Sequence, residues 1–207
     1  MTLVLGDDAQ RIAEEALRAS VAVAEATLRR GLEAVVRAAS IIADALDGDR
    51  KVLVFGNGGS AAEAQHFAAE LVGRFMVERR ALPAVALTTD TSILTAIGND
   101  YGFEHVFSRQ VAALGVAGDV ALGISTSGRS GNVLEGLKEA RTRGLRTIGL
   151  TGGDGGTMSG LVDVHVNVAH AMTARVQEVQ LTLLHIICEL VERAAVRAGG
   201  ARPTMTS

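Results

Sequence analysis

Five short apolar runs, rich in β-branched residues, punctuate the chain at Lys51–Phe55, Ala84–Leu87, Asp119–Ile124, Arg146–Leu150 and Val164–Val168. Each has the length of a strand. Between most of them lie apolar residues at helical spacing, near 61–77, 91–97, 104–114 and 132–143, and Gly144 stands where a helix C-terminal glycine belongs. Strands joined through helices must pair in parallel, and a parallel sheet must be covered on both faces. The pattern therefore predicts an α/β fold, a three-layer sandwich around a five-stranded parallel sheet. In such a sheet ligands bind beyond the carboxyl ends of the strands.

Residues 8–47 precede the sheet and read as two helices broken near Gly31, expected to pack on the α/β core. The segment 175–197 reads as a last helix, apolar on several faces through Val176, Val179, Leu181, Leu183, Leu184, Ile186 and Ile187. A helix of that kind needs cover on more than one side, which predicts an oligomer with this helix at a subunit interface. The 207 residues are enough for one domain with a substantial core, and the 202–207 tail reads as frayed.

Charge narrows the function classes. The formal net charge is -3, the cations are scattered, and the aromatics are five Phe and one Tyr, so nucleic acid is excluded as the main ligand. The first ten residues hold two aspartates and too short an apolar run for a signal peptide, and no stretch approaches the ~18 uncharged apolar residues of a membrane span. A cytoplasmic protein with no membrane partner is expected. Cys188, the only cysteine, lies among Leu184, Ile187 and Leu190 and reads as a small core residue.

Three turns fall at the ligand edge. The first strand ends in Gly56-Asn57-Gly58-Gly59-Ser60, where glycines let a backbone approach a ligand and Ser60 is placed to cap the next helix; the segment reads as an anion or sugar cradle or as a structural turn. The third strand ends in Ser125-Thr126-Ser127-Gly128-Arg129-Ser130. Four hydroxyls, free backbone N–H groups and a helix N-terminus converge there, which is what a phosphate monoester requires and more than a helix cap needs. The fourth strand ends in Thr151–Gly156, which reads as a flexible turn.

His66 and Glu70 stand four apart on the helix after the first glycine turn, on one face, and can share a metal or a substrate hydroxyl. Gln177 and His185 lie eight apart on the last helix, ~12 Å of axial rise. Both serve one centre only if Gln177 precedes the regular helix or if two protomers contribute. Alone, His185 reads as a core histidine, and His105, His165 and His170 show no pairing.

Taken together, Gly56–Ser60, His66-Phe-Ala-Ala-Glu70 through Arg74, Gly98-Asn99-Asp100, Ser125–Gly128 with Ser130-Gly-Asn132, and Arg175-Val-Gln-Glu178 through His185 resemble the phosphoheptose isomerases, enzymes built on the sugar isomerase (SIS) domain. The resemblance spans nearly the whole chain. It implies a flavodoxin-like sheet, isomerisation of sedoheptulose 7-phosphate to glycero-manno-heptose 7-phosphate, a homotetramer with active sites between subunits, and one zinc ion per subunit held by His66, Glu70, Gln177 and His185. It also implies substrate contacts from Asn57, Gly58, Gly59, Ser60, Glu70, Arg74, Asn99, Asp100, Ser125, Thr126, Ser127, Ser130 and Gln177. Glu70 would be the base and His185 the acid of an enediol mechanism. Gln180, Ala174 and Arg129 depart from residues common in relatives. The rival reading is a non-catalytic SIS protein, a replication initiator-associating regulator or a sugar-phosphate sensor, which would need neither Glu70 nor His185.

Overall fold

A computed structural model describes Gly6 and residues 8–199; the tail at 202–207 lies outside them. Two helices open the chain, α1 (Ala9–Arg29) and α2 (Glu33–Asp47). The sheet elements follow in alternation: β1 (Val52–Gly56), α3 (Gly59–Val72), β2 (Ala84–Ala86), α4 (Thr91–Tyr101), α5 (Ser108–Leu114), β3 (Val120–Ser125), α6 (Gly131–Thr142), β4 (Arg146–Gly152) and β5 (Val164–Val168). Helix α7 (Thr173–Gly199) closes the fold.

The five strands form one parallel sheet, as the alternation predicts, in the order β2-β1-β3-β4-β5, the flavodoxin-like order that the resemblance implies. Successive β1 residues face opposite layers. Val52 and Val54 join a core with α2, α3 and α7, whereas Leu53 and Phe55 join a second core with α5 and α6. Because Gly56 pairs with Ile124, β1 and β3 end at the same level, and their turns stand side by side where the strand order reverses.

Three helix boundaries differ from the sequence pattern. The apolar spacing at 61–77 continues past the end of α3 at Val72, but the amides of Phe75, Met76 and Val77 bond to the Glu192 carboxylate instead of a preceding turn. The stretch 104–114 is broken into a 3₁₀ turn at Phe103–His105 and α5, after Gly102 at φ 92°. Helix α4 runs four residues beyond Ile97 to Tyr101, started by the Asp90 carboxylate, which accepts from the Ile93 amide at 2.9 Å.

The apolar faces of α7 are covered largely within the chain, by α1, α2, α3 and the sheet, and Val176, Val179, Leu183, Leu184, Ile187 and Val191 are buried. Apolar residues left in water include Ile12, Leu17, Val21, Leu28 and Val36 on the first helices, and others such as Met76, Phe103 and Met172 in later turns. Cys188 is buried, and desolvation pushes its thiol up to about 12, leaving it chemically quiet.

Packing is tight where the Phe55 ring of β1 reaches α6. A Cβ on Gly136 would come within 2.8 Å of the Phe55 ring, which is itself stacked on Phe107 at 5.1 Å between centroids. Gly136→Ala raises helix propensity by ~1 kcal/mol yet overfills this contact at a cost of about 1–3 kcal/mol, so net destabilisation is expected in denaturant unfolding. A more stable variant would show that the ring moves aside freely.

Candidate active site

The β1 turn enters α3 through Gly58, whose φ of 55° only glycine adopts without strain. Gly58 is the N-cap, so Ser60 lies inside the helix and is buried; it does not cap, contrary to the spacing argument. The chain turns two residues earlier than expected because Gly58 takes the left-handed conformation. Asn57 exchanges two amide hydrogen bonds with Asn132 at the start of α6, both 2.8 Å. This reciprocal pair ties the β1 turn to the β3 turn.

In the β3 turn the Ser125 hydroxyl lies 2.8 Å from that of Ser130 and 3.4 Å from that of Ser127. Ser130 holds the N-cap position of α6, but its hydroxyl is turned to Ser125 and makes no cap bond. The N-terminus of α6 thus remains open above a cluster of hydroxyls, which suits an anion. The neighbouring Gly152–Gly156 loop is tied to it through Gly152 N–H to the Thr126 carbonyl at 3.0 Å and Met158 N–H to the Gly128 carbonyl at 3.0 Å. Arg129 forms a two-pronged pair with Asp154, at 2.9 and 2.6 Å, and these bonds hold the Asp154 carboxyl well below the usual carboxylate range.

That loop, read from sequence as a flexible turn, is anchored from below. The Thr151 hydroxyl meets His165 Nε2 at 2.6 Å and donates to Asn167 at 2.9 Å, while Asn167 donates to the Gly153 carbonyl at 3.1 Å. His165, unpaired in the sequence pattern, has its pKa lowered by burial. Parallel pairing of β4 with β5 sets Thr151 opposite Asn167, a register that the sequence does not reveal.

A second group gathers where α3 and α7 run side by side. His66 Nε2 lies 2.8 Å from His185 Nε2 and 3.3 Å from Glu70 Oε1. One donor atom from each of the three residues falls within 4.8 Å of the other two. Gln177 is not part of this group: α7 is already helical from Thr173, so its amide stands about two turns from His185 and lies over Gly59, where any Cβ would collide with it. Of the four metal ligands implied by the resemblance, one chain therefore gathers three.

Asn99 and Asp100 sit on exposed α4, bonded to each other at 2.7 Å, and Arg74 is exposed in the turn after α3. No hydrogen bond among the described residues links these three to the clusters above.

Two features escaped the sequence reading. Glu192, 2 % exposed, accepts from the amides of Phe75, Met76 and Val77 at 2.8, 2.7 and 3.1 Å and pairs with Arg79 Nε at 3.2 Å. Arg79, also 2 % exposed, donates to the carbonyls of Glu70, Leu71, Gly73 and Arg80. The network caps the last turn of α3, which carries Glu70, and holds the Phe75 ring 5.4 Å from that of His185. The second feature is Glu63, which shares a helical face with Gly59, His66 and Glu70; it is buried, and desolvation pushes its carboxyl up to about 7 against the opposing influence of the Ser60 hydroxyl.

The SIS domain family model matches residues 16–152, about two thirds of the chain. The chain belongs to the SIS domain family. Within that family it is 60% identical over 177 residues to a phosphoheptose isomerase of Geobacter sulfurreducens, covering 86% of this chain and 94% of that protein. A phosphoheptose isomerase of Neisseria meningitidis is 57% identical over 164 residues, covering 78% of this chain and 83% of that protein. Solved phosphoheptose isomerases from Neisseria gonorrhoeae and Francisella tularensis superpose with TM-scores of 0.82 and 0.86 at 49% and 36% identity, each covering 89% of this SIS domain chain and 98% of the other.

Two substitutions test this site. Glu192→Gln leaves Arg79 charged and buried without its partner, and a loss of about 3–5 kcal/mol is expected in denaturant unfolding. Glu63 has a folded pKa above its ordinary value, so its carboxyl favours the fold at low pH and opposes it as pH rises from about 4.5 to about 7. The melting temperature of Glu63→Gln should therefore gain on the wild type from pH 5 to pH 8; a difference independent of pH would remove the burial argument.

Proposed function

We infer that the chain is an aldose-ketose isomerase that interconverts sedoheptulose 7-phosphate and glycero-manno-heptose 7-phosphate through an enediol. Kinship with phosphoheptose isomerases over most of the chain carries the reaction, and the pairing of a hydroxyl-lined anion cradle with a carboxylate–imidazole cluster supports it in the geometry.

The phosphate is held by the hydroxyls of Ser125, Thr126, Ser127 and Ser130 and by the open N-terminus of α6. The Gly56–Ser60 turn, braced by Asn57 on Asn132, lies along the sugar, with Gln177 at its rim over Gly59. Glu70 takes the proton from C1 of the ketose and returns one at C2. His185 delivers a proton to the oxygen on C2 as the enediol forms and takes the proton from the oxygen on C1 as the enediol collapses to the aldose. Glu70 has two oxygens, so one facing His66 leaves the other for the substrate.

Zinc fits this donor set. Two imidazole nitrogens and a carboxylate oxygen are a recurrent three-ligand arrangement with a fourth position open. Two ring nitrogens 2.8 Å apart also need a proton or a cation between them, since both lone pairs cannot face each other. When bound, the ion would supply Lewis-acid polarisation of the sugar carbonyl. His66, Glu70 and His185 would hold it, with Gln177 able to join only from another protomer.

A homotetramer with sites between subunits is the assembly we favour, and the apolar residues exposed on α1 support it. A cytoplasmic location accords with a sugar phosphate substrate, and no helix among the described residues is long and apolar enough to cross a membrane. The non-catalytic reading leaves the His66–Glu70–His185 cluster without a purpose.

The test is turnover of sedoheptulose 7-phosphate with and without zinc, for the wild type and Glu70→Gln. A fall of about 10²-fold or more in kcat for the variant, with inorganic phosphate still bound, is the expected result. Wild-type protein that binds phosphate but turns over no heptose phosphate in any metal condition would defeat it.

A further inference from the structure

Arg129 is the one charged side chain of the 125–130 loop. Its guanidinium is committed elsewhere, with both terminal nitrogens on the Asp154 carboxylate at 2.9 and 2.6 Å and one also on the Ser127 carbonyl at 3.1 Å. Its backbone nevertheless belongs to the cradle, since the Arg129 amide donates to the Ser127 hydroxyl at 3.2 Å and the next residue is Ser130. The only cation of the cradle is thus neutralised by an acid from the neighbouring β4 loop.

The pair is held where water can compete, the two side chains being 56% and 69% exposed. Exposed pairs of this kind are weak and salt-sensitive. A phosphate dianion offers the same two-oxygen face as Asp154, with more charge, to a guanidinium fork that suits both. Rotation of the long Arg129 side chain about its own bonds is all that the exchange requires, because its Cα is fixed between Ser127 and Ser130.

We propose that Arg129 is an exchangeable phosphate ligand and that Asp154 competes with the substrate phosphate for it, so that Asp154 sets how tightly the cradle holds its anion. The proposal rests on the reading of Ser125–Ser130 as the phosphate cradle. Asp154 occupies the guanidinium until a dianion arrives and receives it again on release. Its consequence is a cradle that binds phosphate less tightly than its donors allow, which favours release of the phosphorylated product.

Calorimetric titration of inorganic phosphate into the full-length protein at low ionic strength tests it, using wild type, Asp154→Asn, Arg129→Ala, the double variant, and Ser125→Ala/Ser130→Ala. Asp154→Asn should tighten phosphate binding about two- to fivefold, the scale of an exposed ion pair. Arg129→Ala should weaken it, and adding Asp154→Asn to Arg129→Ala should change nothing further. Unchanged or weaker binding by Asp154→Asn overturns the proposal, as does equal tightening in the Arg129→Ala background, which would mark simple long-range repulsion. If the double serine variant loses phosphate while Asp154→Asn behaves as wild type, only the exchange is wrong. Wild-type affinity in the serine variant removes the cradle reading and the proposal together.

Discussion

Glu192 and Arg79 stand almost wholly out of water, and two opposite charges in that position are tolerable only when they face each other and most of their polar atoms are hydrogen-bonded. Glu192 takes three consecutive backbone amides and Arg79 closes the carbonyls at the end of α3. The pair joins the beginning of the sheet, through α3, to the last helix of the chain. It adds a polar tie to the apolar packing between α3 and α7, the two helices on which His66, Glu70 and His185 meet. Loss of the pair would loosen the end of α3 that carries Glu70, while the apolar packing between α3 and α7 remains.

The alternation of β-branched runs and helical periods made the layers and the parallel sheet readable, since period two and period 3.6 are written in residue order. The hydroxyl-rich β3 turn was readable for the same reason: its chemistry lies within six consecutive residues. What stayed hidden came from distant partners. Glu192 looks like any surface acid of an amphipathic helix until Phe75–Val77 come to it. Thr151 and Asn167 meet only through the β4–β5 register. The capping role expected of Ser60 failed because a positive φ at Gly58 begins the helix earlier, and sequence signals a glycine without saying which dihedral it takes.

The β1 and β3 turns also divide the labour of recognition. The Asn57–Asn132 pair fuses them into one rim, with the anion cradle on one side and the carboxylate–imidazole cluster on the other. Under the proposed function, the short hydroxyls of the β3 turn and the start of α6 would anchor the phosphate, whereas the longer side chains of Arg129 and Gln177 stand at the edges. Placing adaptable groups around a fixed anchor suits a substrate whose sugar must open and change hybridisation while its phosphate stays in place.

Helix α2 buries much of its apolar face against α7, and these are among the first and last parts of the chain to be made. During synthesis from the N-terminus, Ala38, Ile41, Ile42 and Leu46 emerge before the β3, β5 and α7 residues that complete their cover. The central β1–β3 pairing likewise waits for residue 125. A nascent chain of this protein therefore carries a partly open apolar face until its last helix is made.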